Sequence, residues 1–159
     1  MKTAMKVILL ATQSADGFIG RDTEHLSTTW TTASDKRLFV RITKQAGTVI
    51  MGYTTFATFG RALPGRRLII TTRQNRPPVK GVEFTNEGPV EVLRRLEAEG
   101  AKSVIVGGGR QIYNQVMQAN LMTELYLSIQ PVLFGHGIPL FDQELNTKLE
   151  LLDTTTEAT

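Results

Sequence analysis

Ser103-Val104-Ile105-Val106-Gly107-Gly108-Gly109-Arg110-Gln111-Ile112-Tyr113 is the stretch on which the fold turns. A short apolar strand over Ser103–Val106 runs straight into three glycines, and a helix is expected over 110–118. Glycines between a strand and a helix let backbone N–H groups approach an anion, and the helix N-terminus adds a favourable dipole. The run is not G-x-G-x-x-G, because Ile112 holds the third position, so it carries no Rossmann fingerprint. The competing reading is a turn whose glycines serve only tight packing.

Outward from this turn, strands alternate with helices. Ala4–Ala11 is strongly apolar and reads as a buried first strand, with Thr12 to Gly17 as a polar turn. Residues 20–31 are rich in Thr and Ser and read as a long loop. Leu38, Phe39, Ile42 and Ala46 recur at helical spacing around 33–45. Thr48–Met51 reads as a strand ending at Gly52, and Tyr53–Phe59 as a short helix closed by Gly60 and the Leu63-Pro64-Gly65 turn. Leu68–Thr72, Val82–Thr85, Leu121–Val132 and Lys148–Thr155 read as strands, and Glu87–Glu99 as a helix ending at Gly100. The pattern predicts one α/β domain over residues 1–159, with a largely parallel sheet covered on both faces. Ligands of such sheets sit outside the carboxyl ends of the strands, so Gly52, Thr71–Gln74 and Gly107–Arg110 are expected on one rim.

The 159 residues are 41% apolar and 21% charged, enough to bury a core without disulfides. With no cysteine, a disulfide scaffold, an iron–sulfur centre, a thiol catalyst and a cysteine-ligated zinc site are all excluded. The early apolar run is too short to span a bilayer and is followed by no small-residue cleavage site, so a cytoplasmic, membrane-free protein is expected. The net charge of +3 hides an asymmetry. No acid lies between Asp35 and Glu83, while residues 36–82 hold ten bases, seven of them Arg. Such a block points to an anionic partner, either a nucleic acid or a phosphorylated or carboxylated small molecule.

Asp35 borders this block. Thr32-Ala33-Ser34-Asp35 fits a capping box. Asp35 also lies three, four and seven residues before Leu38, Phe39 and Ile42, on the inward helix face, where a poorly solvated carboxylate suits proton transfer. Both readings stay open on the residues alone. Arg66, after a Pro-Gly turn, is either a solvated turn residue or a fork for a ligand carboxylate. Trp30 is either a core aromatic or the wall of a pocket. His25 and His136 stand apart without metal-ligand spacing and read as surface or loop residues, and no metal site is expected.

Together these stretches resemble dihydrofolate reductase. The likeness runs through Val49-Ile50-Met51-Gly52-Tyr53-Thr54-Thr55-Phe56, Gly60-Arg61-Ala62-Leu63-Pro64-Gly65-Arg66, the Gly-Gly-Gly turn and Glu124-Leu125-Tyr126-Leu127-Ser128. It implies a three-layer α/β/α fold with a mostly parallel central sheet. It also implies NADPH-dependent reduction of 7,8-dihydrofolate to 5,6,7,8-tetrahydrofolate, with hydride transfer to C6 and protonation at N5. Asp35, five places after Trp30 and four before Phe39, matches the family's acid, and Ser128 the hydroxyl residue that supports it. Arg66 matches the arginine for the folate carboxylate, and Phe59 and Leu63 the aminobenzoate wall. Phe39, Ala11 and Gly107 fall beside the substrate ring, and Ile19 and Gly20 at the nicotinamide pocket. Thr55 matches a cofactor-phosphate contact, with Gly52 and Thr54 beside it. Thr72, Arg73 and Gln74 fall at the adenosine 2′-phosphate, and Gly108, Gly109, Arg110, Gln111 and Ile112 at the pyrophosphate turn.

The sequence also departs from the family. Tyr53 stands where many relatives carry a base near the 2′-phosphate, which weakens the expected preference for NADPH over NADH. Gly107 replaces a branched apolar residue, and Lys36 follows the acid directly. One C-terminal strand pattern is present where the family usually closes with two, so the last antiparallel strand is either absent or supplied by a partner chain, and a monomer or a homodimer fits. Ser14 to Gly20 and Pro131 to Phe141 resemble a sister family, the pyrimidine reductase domain of riboflavin synthesis, which reduces a ribosylamino-pyrimidine phosphate with NADPH. A noncatalytic anion- or nucleic-acid-binding domain is the third reading. It is disfavoured because the bases interleave with core elements and no aromatic stacking platform accompanies them, so no nucleic-acid partner is expected.

Overall fold

Apolar alternation decides which way each strand faces, and the computed structural model, which describes residues 4–22, 25 and 29–157, shows the result. The chain runs β1 (Lys6–Ser14), β2 (Phe18–Gly20), α1 (Ala33–Ala46), β3 (Thr48–Gly52), α2 (Tyr53–Ala57) and β4 (Arg67–Thr71). It continues through β5 (Val82–Thr85), α3 (Pro89–Ala98), β6 (Ser103–Val106), α4 (Arg110–Gln118), β7 (Glu124–Gln130) and β8 (Ile138–Pro139). Six strands form one sheet in the order β5-β4-β3-β6-β1-β7, and every pairing in it is parallel. β2 and β8 form a separate antiparallel pair. No helix among the described residues is long and apolar enough to cross a membrane.

Side chains alternate across a strand, so a sheet buried on both faces needs two apolar sets. Val7, Leu9, Ile50, Ile69, Val104 and Val106 pack with Val92, Leu93 and Leu96 of α3 and with Ile112, Tyr113 and Val116 of α4. Ile8, Leu10, Val49, Met51, Leu68, Ile70 and Ile105 take the opposite face, with Ile42 of α1 and Phe56 of α2. The expected three-layer α/β/α architecture follows from this division.

Two expectations change. The first strand does not stop at Ala11, because β7 offers Ser128, Ile129 and Gln130 as partners for Thr12, Gln13 and Ser14. Lys148–Thr155 forms no strand: residues 146–157 are exposed and join no sheet, with Leu149, Leu151 and Leu152 in solvent. Alternating apolar residues make a strand only where a ladder partner meets them. The short β2–β8 pair went unforeseen because three- and two-residue strands carry no readable period.

Asp16 ties this second layer to the first. Its carboxylate accepts from the Ser14 hydroxyl (2.7 Å) and from the backbone N–H groups of Phe134 (3.1 Å) and Gly135 (2.6 Å). The Ser14 hydrogen bond is the largest influence holding its pKa down, to about 2. A carboxylate depressed in the folded state adds stability above its unfolded pKa of roughly 4, and that stability is lost as pH falls toward the folded value. Asp16→Asn is therefore expected to lower Tm at neutral pH, with the deficit against the parent shrinking between about pH 4 and pH 2 in thermal melts.

Candidate active site

The parity of β1 aims the first functional side chain. Ile8 and Leu10 face the layer of α1, so Thr12 does too, and its Oγ1 donates to Asp35 Oδ1 at 2.8 Å. From the helix side, Thr32 caps α1 by accepting the Asp35 N–H at 3.2 Å. The Thr32 N–H in turn donates to buried Gln130 Oε1 (3.0 Å), whose amide Nε2 donates to Ser128 Oγ (2.9 Å). The capping box is thus half built: the helix is capped, while the Asp35 carboxylate turns to Thr12 and lines a cleft. Ser128, expected to support the acid, is engaged by Gln130, and the hydroxyl on the acid belongs to its register partner Thr12.

The glycine turn forms the opposite wall. The Gly107 N–H donates to Ile50 O (2.8 Å) and the Gly52 N–H to Gly108 O (2.9 Å), which binds the ends of β6 and β3 together. Gly108 has φ +117°, which favours glycine, and a Cβ on Gly109 would crowd Thr55 Oγ1 at 3.2 Å. Gly109 caps α4 without a side-chain hydrogen bond, leaving the first-turn N–H groups to the cleft. Below the turn, fully buried Tyr113 donates its hydroxyl to Leu10 O at 2.7 Å. Burial raises its pKa, so the hydroxyl stays protonated as that donor.

Between these walls lies a cleft of about 1140 Å³. Phe39, Phe59, Leu63 and Arg66 line it together with Asp35 and Gly107. Ile19, Gly20, Gly52, Thr54 and Thr55 line it as well, together with Gly108, Gly109, Arg110, Gln111 and Ile112. Thr72, Arg73 and Gln74 line the end of β4. Three expected residues do not line it. Ala11 turns by strand parity into the core against α4. Ser128 is held as described. Trp30 stacks on His25 (centroids 6.1 Å) and meets Phe134 edge-on (5.0 Å).

His25, expected at the surface or in a loop, lines the cleft and accepts the Arg21 N–H at Nδ1. Thr12 and Arg76 were not foreseen as lining residues, and only the register partner of Thr12 and the spacing of Arg76 after β4 could have flagged them; Tyr53, expected near the 2′-phosphate, lines the cleft. The rest of the 20–31 loop, residues 23, 24 and 26–28, lies outside the described residues.

The basic block divides by use. Lys36, Arg61, Arg66, Arg73 and Arg76 line the cleft. Arg67 forks onto Glu83 (2.6 and 2.9 Å) and reaches Glu99 (3.1 Å). Arg66 donates to Thr43 Oγ1 (3.0 Å) and Pro64 O (3.1 Å), and no carboxylate pairs with it among the described residues. Burial pulls its guanidinium below the ordinary value, as desolvation of a cation does. Arg110 is tied by its Nε to Asp142 at 3.2 Å, and Asn114 of the same helix also donates to Asp142.

The arrangement has counterparts in known proteins. Residues 6–132 match the family model described as dihydrofolate reductase. The chain belongs to the dihydrofolate reductase family. It is 30% identical to the dihydrofolate reductase of Staphylococcus haemolyticus over 128 residues, 80% of this chain and 72% of that one. It is 36% identical to the uncharacterized protein YwjB of Bacillus subtilis over 74 residues, covering 46% of this chain and only 42% of that protein. Among solved structures, a putative riboflavin biosynthesis protein from Shewanella sp. PV-4 superposes with TM-score 0.72 at 20% identity, covering 90% of this chain and 86% of that one. The Enterococcus faecalis dihydrofolate reductase complexed with NADP(H) and RAB-propyl superposes with TM-score 0.69 at 23% identity, covering 89% and 80%. These two share the fold.

Tyr113→Phe leaves the Leu10 carbonyl without its buried donor, and a loss of about 1–3 kcal/mol is expected in urea unfolding.

Proposed function

We propose that the cleft reduces 7,8-dihydrofolate to 5,6,7,8-tetrahydrofolate with NADPH, hydride going to C6 and a proton to N5. The observation that carries this reading is that the Asp35 carboxylate and the Arg66 guanidinium, which has no carboxylate partner among the described residues, line the same cleft together with Phe39, Phe59 and Leu63. That set of groups suits a ring that must take a proton, an aryl spacer and an anionic tail.

The cofactor's fit is tested by the turn. Three glycines leave backbone N–H groups open at the start of α4, a site suited to a pyrophosphate, and Thr55 Oγ1 borders it. Gly108, Gly109, Gln111 and Thr55 would hold that group, with Thr72, Arg73 and Gln74 toward the adenosine. NADPH, when bound, supplies the hydride. The chain's own work is alignment, water exclusion and control of one proton. Thr12 donates to Asp35 Oδ1 and so fixes which way the carboxylate faces, leaving Oδ2 for the substrate ring. Asp35 grips the ring and promotes protonation at N5. Arg66, braced by Thr43 and Pro64, receives the tail carboxylate with its remaining N–H groups.

One observation favours a second substrate. The segment from Pro131 to Phe141 is clipped onto the β1–β2 turn by Asp16, and it is this segment that resembles the pyrimidine reductases. In that reading Arg66 meets a ribosyl phosphate. Both substrates need the reductase site, and a direct comparison separates them.

NADPH oxidation assays are expected to show turnover with dihydrofolate. Asp35→Asn should lower kcat by on the order of 10²-fold or more, as for a lost proton-transfer group. Arg66→Leu should raise KM for dihydrofolate on the order of tenfold with kcat nearly unchanged. Turnover of the ribosylamino-pyrimidine phosphate but not of dihydrofolate would replace the first reading with the second.

A further inference from the structure

The adenosine end of the cleft holds an arrangement that the expected site does not include. Arg76 lays its guanidinium over the Tyr53 ring, with Cζ 3.5 Å from the centroid, and its Nε donates to Thr72 Oγ1 at 3.2 Å. The shelf beneath it is fixed: Tyr53 leans on Phe56 and Phe84 (centroids 6.1 and 6.4 Å). Thr72 is buried and its N–H donates to Thr85 O at 2.9 Å. Among the described residues no carboxylate pairs with Arg76 or Arg73, and the nearby Glu87 is taken by Arg95. Arg76 therefore has a set orientation and no counter-ion. It borders both the main cleft and a polar cavity of about 300 Å³ that Asn75 and Asn86 also line.

A dinucleotide is bipolar about its pyrophosphate. With the pyrophosphate at the glycine turn and the reacting ring on the side of Asp35, the adenosine must run the other way, toward Thr72, Arg73 and Arg76. NADPH differs from NADH by one phosphomonoester on the adenosine ribose, and a preoriented, unpaired guanidinium is the group that can read it. We infer that Arg76, stacked on Tyr53, is the residue that selects the 2′-phosphorylated dinucleotide in this chain. It makes good the base missing at position 53, so that the tyrosine acts as the seat of the selecting charge and not as its loss. Arg73 adds charge at the same end. The inference rests on the reductase reading above.

The test is calorimetric titration with NADPH, NADH and 2′,5′-ADP, which reads binding and not turnover. The parent protein should bind NADPH more tightly than NADH. Arg76→Leu should lose on the order of tenfold in affinity for NADPH and for 2′,5′-ADP while NADH affinity stays unchanged. Arg76→Lys, which keeps the charge but not the planar stack, should fall between. Tyr53→Leu, which removes the seat, should also weaken NADPH selectively. Equal affinity of the parent for the two dinucleotides, or an Arg76→Leu variant that weakens both alike or neither, overturns the assignment while leaving the reductase reading intact. A parent protein that binds neither dinucleotide overturns that reading, and the assignment with it.

Discussion

The closure of β6 onto β3 is the constraint from which the rest follows. Gly107 N–H to Ile50 O and Gly52 N–H to Gly108 O hold the ends of two parallel strands together, so the chain must leave the sheet there and at once begin a helix. Without side chains in the turn, α4 starts directly over the sheet, and Tyr113 reaches down to the Leu10 carbonyl of the next strand. A purely parallel sheet brings the ends of β1, β3, β4 and β6 to one rim. The cleft is the gap that opens where helices of the two layers diverge above that rim.

The same parity that builds the two core layers distributes the chemistry. Leu10 and Thr12 share a face with α1, so a core residue and the partner of the acid come from one alternation. Asp35 satisfies two demands at once: its backbone N–H completes a helix cap, and its carboxylate serves the cleft. Gln130 links that cap to β7, so the position of the acid depends on a strand on the far side of β1. Such cross-bracing fixes the position of the Asp35 carboxylate at the cleft.

Much of this was legible in the sequence because it rests on local rules. The strands at Thr48–Met51 and Ser103–Val106, the helix at 110–118 and the glycine turn need only periodicity and turn chemistry, whereas Asp35 was singled out as the acid by the family resemblance. What escaped was set by register and by partners distant in the chain. Ser128 and Thr12 are both hydroxyl residues facing each other across β1 and β7, and sequence alone does not say which one bonds the acid. Arg67 and Arg66 are adjacent, yet one is neutralised by Glu83 and Glu99 and the other has no carboxylate partner among the described residues, a difference decided by the β4–β5 pairing and the end of α3. Lys148–Thr155 has strand alternation but meets no ladder. Tyr53 carries no charge of its own, and the base that rests on its ring, Arg76, lies twenty-three positions on.

As a dihydrofolate reductase, the cleft would deliver hydride to a reduced pterin. The most direct measurement is to incubate the protein with dihydrofolate and NADPH deuterated at the nicotinamide C4, and to locate the label in the product by NMR. The account predicts tetrahydrofolate carrying one deuterium at C6. Unlabelled dihydrofolate recovered intact, with deuterium appearing instead in a ribosylamino-pyrimidine phosphate offered alongside it, would contradict the account.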